Sequence, residues 1–237
     1  MQQEIHFSSD DYRLSGTLHM PESQSPPVVI GSHGLFSTGD SPKQIALAKQ
    51  CVKLGMAFFR FDHRGCGRSE GDFATATTFA GRCRDLVRAI ETMQARPEVG
   101  TRIGLFGSSL GGAVCLANAT LPEIKTIVTV AAPLCTESIR APYVNDPANS
   151  HLIEALDKDG LFFDLRDRIQ NIRHLLIFHG DQDLTVPFSN ALELYSQSSE
   201  PKRLIHQKNG DHPMSDPQHQ KEFENLAAGW FDKYIRQ

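Results

Sequence analysis

The chain is short of long single-character runs. No apolar stretch approaches the ~20 residues that a membrane-spanning helix needs, so no span is expected. No block of lysine and arginine appears, and the formal net charge over 237 residues is −4. Nucleic acid and membrane are therefore not expected partners. Cysteine is scarce: Cys51, Cys66, Cys83, Cys115 and Cys135 are odd in number, scattered, and form no CxxC pair. That argues against a disulfide framework and a zinc site, and suits reduced thiols in a cytoplasmic protein. No His/Cys/Asp cluster has metal-ligand spacing, so neither metal nor cofactor is expected. The first residues, MQQEIHFSSDDYRL, hold neither a basic segment nor an apolar one, and no signal peptide is read there. Internal repeats and low-complexity tracts are absent, and nothing marks an oligomeric state.

What is present is a regular alternation of strand and helix. EIHFSSDDYRLSGTLHMP reads as an antiparallel hairpin around a polar turn. PPVVIGSHG is a short buried strand. SPKQIALAKQCVKLG follows as a helix, with Ser41 at the N-cap, Pro42 at the first helical position and Gly55 at the stop. Its apolar face is expected to be Ile45, Ala48 and Val52. MAFFRFDHRG is the next strand. A helix from about Thr78 to Ala95 carries a stripe of Phe79, Cys83, Leu86, Val87, Ile90 and Met93. Strand, helix, strand, strand, helix and strand then follow, before a closing helix with Phe223, Leu226, Ala227, Trp230, Phe231 and Tyr234 on one side.

Strands joined through helices require crossover connections, and these build a mostly parallel twisted sheet with helices on both faces. The opening hairpin adds an antiparallel edge. The expectation is an α/β fold in a single domain over residues 1–237. The rhythm breaks once, between Cys135 and Arg173. That segment, with Phe162 and Phe163, reads as a small cap insertion, 135–173, over the carboxyl ends of the strands, where open α/β sheets bind ligands.

The stretch LFGSSLGGAV puts Gly107, Ser109 and Gly111 in a G-x-S-x-G pattern between a strand-like and a helix-like run. A strand-turn-helix setting is what a nucleophile elbow needs, and only Ser109 holds its centre. A serine hydroxyl needs a base to take its proton, and the base needs a third group to orient it. His212, in the loop NGDHPM beyond the last strand, is placed to be that base. His179 and His206 lie within strands and are expected to be packed, and His33 to brace its turn. For the acid, Asp183 in HGDQDLTVP is favoured over Asp181, nearer the strand end, and over Asp211, the neighbour of His212. An oxyanion would be held by two backbone N–H groups, of Leu110 and of Leu35.

HGLFS, FDHRGCGRSEG, GSSLGG, and HGDQDLTVP with GDH stand in one order, and in this the sequence resembles the α/β-hydrolase superfamily over essentially its whole length. Within it the look is of small bacterial feruloyl/cinnamoyl-type esterases and their serine-peptidase-like relatives. The resemblance implies that Asp62 and Arg64 form a structural turn rather than a reacting pair. It implies a cofactor-independent serine hydrolase cleaving a carboxylic ester of a small or medium acyl group, with a small-molecule ester as its partner. Thioesterase, aminopeptidase-type or perhydrolase chemistry by the same three residues are the alternatives within the class. A non-catalytic small-molecule receptor is the alternative outside it. A dehalogenase needs a carboxylate where Ser109 stands.

Overall fold

A computed structural model describes residues 1–140 and 160–237. Residues 141–159, the middle of the expected cap at 135–173, lie outside the described residues.

Strands β1 (Gln2–Ser9) and β2 (Tyr12–His19) form the hairpin, with Ser9 opposite Tyr12. The two-residue turn places Asp10 at φ 49°, a conformation that Asp tolerates better than most residues. Along β1 the side chains of Ile5, Phe7 and Ser9 turn inward while their neighbours face solvent, the period of two that a pleated strand imposes. The later strands β3 (Val28–Ser32), β4 (Ala57–Phe61), β5 (Ile103–Ser108), β6 (Ile124–Val130) and β7 (Leu175–Gly180) are almost wholly buried. Such runs belong to the covered middle of a parallel sheet. With β8 (Lys202–Gln207) they make one eight-stranded sheet of order β1-β2-β4-β3-β5-β6-β7-β8, antiparallel only at β1/β2 and β2/β4.

The strand period splits the core in two. Ile30, Phe59, Leu105, Ile127 and Ile177 pack on one face, and their neighbours Val29, Phe58, Phe106, Val128 and Phe178 on the other. The first face is covered by α3 (Phe79–Gln94), α4 (Leu110–Ala117) and α5 (Ser189–Gln197). The second is covered by α1 (Pro42–Lys53) and α6 (Pro217–Ile235). A short helix α2 (Phe73–Ala76), not expected from the sequence, is capped by the Asp72 carboxylate, which accepts from the N–H groups of Ala74 and Thr75. Among the described residues no helix is long and apolar enough to cross a membrane.

Two helix faces differ from expectation. In α1 the buried residues are Gln44, Leu47, Ala48 and Cys51, with Ile45 and Val52 at the margin, because the sheet accepts the amide of Gln44 where Gly31 leaves room. In α3 the inward face carries Arg82 and Asp85 besides Phe79, Leu86, Ile90 and Met93, while Cys83 and Val87 are only half-buried. The flanks of the 135–173 segment are tied to the body. Cys135 bridges Asp164, and Phe163 is buried and stacks on Phe79 at 4.2 Å, whereas Phe162 is exposed.

Candidate active site

Between β5 and α4 the chain reverses over a single residue. Ser109 sits at φ 53°, ψ −127°, a region that costs a non-glycine residue of order 1–3 kcal/mol. The reversal is tight enough to demand bare neighbours. A Cβ on Gly107 would lie 2.3 Å from the carbonyl oxygen of Gly111, and one on Gly111 would lie 2.1 Å from that of Ser32. Ser109 N–H donates to the Val130 carbonyl at 2.8 Å, which anchors the turn to β6.

The three residues expected to act together do meet. His212, in the loop after β8, has Nε2 3.0 Å from Ser109 Oγ and Nδ1 2.7 Å from Asp183 Oδ2. A carboxylate only accepts, so Nδ1 carries the proton and Nε2 faces the serine hydroxyl as an acceptor. Asp183 Oδ1 accepts from the N–H groups of Thr185 and Val186 at 2.9 and 2.8 Å. Burial alone would raise the Asp183 pKa. The hydrogen bonds of His179, His212 and the Val186 N–H outweigh it and hold the carboxyl well below the usual carboxylate range.

The alternative acids are occupied elsewhere. Asp181 accepts from Asn209 N–H at 2.7 Å and pairs with His206 at 2.9 Å. Asp211 accepts from Ser215 N–H at 2.7 Å. His179 is buried as expected, but His206 is not: its side chain is half-exposed, because edge strand β8 is covered on one face only. Asp62 and Arg64 hold loops together. Asp62 accepts from the N–H groups of Gly39 and Arg68, and Arg64 pairs with Asp85 and Asp10.

Leu35 and Leu110 both border the cavity above Ser109, and among the described residues neither N–H donates a hydrogen bond. The loop carrying Leu35 is held from behind by a residue that the sequence did not single out. Arg82 is fully buried, and its guanidinium donates to three successive carbonyls, those of His33 (3.3 Å), Gly34 (3.2 Å) and Leu35 (3.1 Å), and to Cys66 Sγ at 3.3 Å. The signal for it was a cation interrupting an apolar helix face. His33 braces the same loop: Nδ1 donates to Gly34 O at 2.7 Å, and Nε2 accepts from His63 N–H at 3.0 Å.

Behind the loop lies a second Ser–His–Asp chain. His63 Nε2 accepts from Ser32 Oγ at 2.9 Å, and Nδ1 faces Asp85 Oδ2 at 3.3 Å. All three residues are buried. Burial lowers the His63 pKa to about 4 against the opposing pull of Asp85, and pushes that of His33 well below its ordinary value.

The cavity over Ser109 has a volume of about 600 Å³. Phe36, Ile139, Leu161 and Phe163 supply apolar lining, His33, Lys43 and His212 the ionisable lining, and the described lining holds no carboxylate. No group of three or more His, Cys, Asp or Glu among the described residues is placed to hold a metal ion.

Residues 23–154 match the family model described as "Serine aminopeptidase, S33". The chain is 26% identical over 214 residues to a mouse (Mus musculus) protein named palmitoyl-protein thioesterase ABHD10, mitochondrial, covering 80% of this chain and 70% of that one. It is 29% identical over 224 residues to the uncharacterized protein YfhR of Escherichia coli K12, covering 88% and 72%. Among solved structures, an esterase of Pyrococcus furiosus superposes with a TM-score of 0.83 at 18% identity, over 99% of this chain and 92% of that one. Est1E of Butyrivibrio proteoclasticus, solved with ferulic acid bound, superposes with a TM-score of 0.78 at 19% identity, over 98% and 100%. The fold is that of the α/β-hydrolases.

Proposed function

The chain belongs to the serine aminopeptidase, S33, family of α/β-hydrolases, and from that premise we propose that it is a serine hydrolase cleaving carboxylic esters of small or medium apolar acyl groups. One observation carries the reading. An unbroken hydrogen-bonded chain, Asp183–His212–Ser109, ends on a strained turn that opens into an apolar cavity.

Each residue then has a step. Ser109 Oγ attacks the carbonyl carbon while His212 Nε2 takes its proton. Asp183, kept ionised, holds the Nδ1–H tautomer and stabilises the imidazolium. The N–H groups of Leu110 and Leu35 receive the oxyanion, and the positive end of α4 favours the charge. The tetrahedral species collapses: the C–O bond to the alcohol breaks, and His212 returns the proton to the leaving oxygen. Water then repeats the sequence on the acyl-Ser109 ester and releases the acid.

The cavity supports this substrate class. An aminopeptidase must recognise an α-ammonium group, usually with a carboxylate, and the described lining offers Lys43 instead. A thioester is the second reading, favoured by the likeness to the palmitoyl-protein thioesterase; the same three residues serve it unchanged. The 135–173 segment, whose flanks provide Ile139, Leu161 and Phe163, is read as the acyl-side cap, and residues 1–237 as one domain. The test is a fluorophosphonate probe together with a panel of p-nitrophenyl and hydroxycinnamoyl esters, acyl thioesters and aminoacyl amides. Labelling of wild type but not of Ser109→Ala, with ester turnover exceeding amide turnover, is expected. An unlabelled wild type that turns over none of the panel would leave a binding protein.

A further inference from the structure

Part of the cavity wall is not needed for an apolar acyl chain. It is built by the start of α1, where Ser41, Lys43 and Gln44 all border the cavity. The first turn of a helix presents N–H groups without intrahelical partners and carries the positive end of the helix dipole. Here that turn contains no acidic residue, and Ser41, at the N-cap, makes no side-chain cap bond. Lys43 Nζ donates to the carbonyl of Pro213 at 2.7 Å, and an ammonium has donors to spare. Burial lowers the Lys43 pKa, with the Asp211 carboxylate acting against it.

Gln44 is a separate observation. It is 1% exposed, and neither Nε2 nor Oε1 of its amide has a hydrogen-bond partner among the described residues. A buried amide left in that state is costly, and native interiors seldom keep one without a reason. Its Oε1 is packed against Gly31, so the group left to a ligand in the adjoining cavity is the Nε2 amide N–H, which needs an acceptor such as an anionic oxygen.

We propose that the first turn of α1 is a subsite for an anionic group, carboxylate or phosphate, carried on the leaving portion of the substrate. The inference rests on the ester-cleaving reading above. In that mechanism the departing oxygen takes its proton from His212, so the leaving group lies beside His212. Lys43 is tied to the very next residue, Pro213. The apolar wall of Ile139, Leu161 and Phe163 then takes the acyl chain. The substrate class becomes an ester or thioester of an apolar acid with an acidic alcohol or thiol.

The experiment compares two esters with the same acyl group, 3-(butyryloxy)benzoate and 3-(butyryloxy)benzamide, in the full-length protein at low salt. Wild type is expected to favour the carboxylate ester by about tenfold or more in kcat/KM. The ratio should shrink in high salt, fall toward one in Lys43→Met, and drop in Gln44→Leu, whatever the absolute rates of the variants. A wild-type ratio of one or less, or a ratio that Lys43→Met leaves intact, overturns the subsite. Should the variants not fold, inhibition of wild type decides the matter. 3-Hydroxybenzoate or phenyl phosphate should compete better than 3-hydroxybenzamide, the stronger of the two naming the anion, and equal inhibition by all three overturns it. The parent reading fails separately: it is lost if Ser109→Ala still cleaves both esters. The subsite alone is lost if Ser109→Ala cleaves neither and the wild-type ratio is one.

Discussion

Among the described residues two Ser–His–Asp chains stand out, and their bond lengths hardly tell them apart. Ser109–His212–Asp183 spans 3.0 and 2.7 Å, and Ser32–His63–Asp85 spans 2.9 and 3.3 Å. The surroundings differ in three ways. Ser109 stands on a turn at φ 53° facing a cavity, while Ser32 is the last residue of a central strand and is fully buried. Asp183 answers to histidines and backbone N–H groups, while Asp85 also carries the buried guanidinium of Arg64 at 2.7 and 3.0 Å. Among the described residues, the first chain lies beside two backbone N–H groups, of Leu35 and Leu110, that donate no hydrogen bond. If Ser109 is the nucleophile, as proposed, hydrogen-bond geometry between serine, histidine and aspartate does not by itself separate a reacting group from a brace; access, a strained presentation and N–H groups facing the cavity do.

The sharpest way to break the comparison is to remove each hydroxyl. Ser109→Ala is expected to lose on the order of 10⁴-fold or more in turnover with little change in stability. Ser32→Ala is expected to keep most of its turnover but lose about 1–3 kcal/mol in urea unfolding, because His63 Nε2 is left buried without a partner. Comparable turnover losses in the two variants would mean that both chains react, or neither.

Arg82 links the two chains, since it holds the loop between Ser32 and the Leu35 N–H by three carbonyls. With those carbonyls turned toward the guanidinium, the loop is set before substrate arrives. Arg82→Gln is expected to lower kcat by roughly 10²-fold, the scale of losing one oxyanion donor, with KM within about threefold and the affinity for a trifluoromethyl ketone falling in step. A loss shared equally by KM, or full activity in a folded variant, would reduce Arg82 to core packing.

Acid separates the chains through stability. An unfolded histidine titrates near 6.5, but His63 in the fold only at about 4, as does His19, both because burial penalises the charged ring. Between those values the unfolded chain binds more protons than the native one, so stability rises with pH across the window and is lost as pH falls through it. Asp85 and Asp183, both held below the usual carboxylate range, add their loss only at still lower pH. Urea midpoints should be level above about pH 7 and decline from about 6.5 toward 4. The decline should be shallower in His63→Gln, and an unchanged slope would assign the effect to other groups.

The smallest effect concerns the turn. Ser109→Gly is expected to be inactive yet at least as stable as wild type, and about 1 kcal/mol more stable than Ser109→Ala, since glycine adopts φ 53° without a Cβ penalty. Its extra freedom in the unfolded chain takes back roughly 0.4–1 kcal/mol. In an unstrained strand or helix the order would reverse, so urea melts of the two variants report directly on the strain.

Some of this was legible in residues read one by one. The elbow could be read because its chemistry is local: Gly107 and Gly111 are bare because a Cβ at either would strike backbone a few residues or one strand away. Asp183 and His212 could be placed because loops at the carboxyl ends of parallel strands converge on one edge. The alternation of β-branched and aromatic residues along the strands, and the helical spacing of Phe223, Ala227 and Phe231, determined which elements form and that a two-faced sheet results. Periodicity failed where a polar residue was buried. Gln44 displaced the expected face of α1, and Arg82 and Asp85 sat inside that of α3. The pattern also gave no hint that His206 would face solvent while Ser32, His63 and Asp85 would form a buried copy of the Ser109–His212–Asp183 chain. The physical reason is the range of the forces. Propensity, turn sterics and hydrophobic period act over a few residues and are written in neighbouring letters. The worth of a buried charge or amide is set by partners tens of residues away, such as the His33, Gly34 and Leu35 carbonyls for Arg82, and only the packed sheet and its helices decide whether those partners arrive.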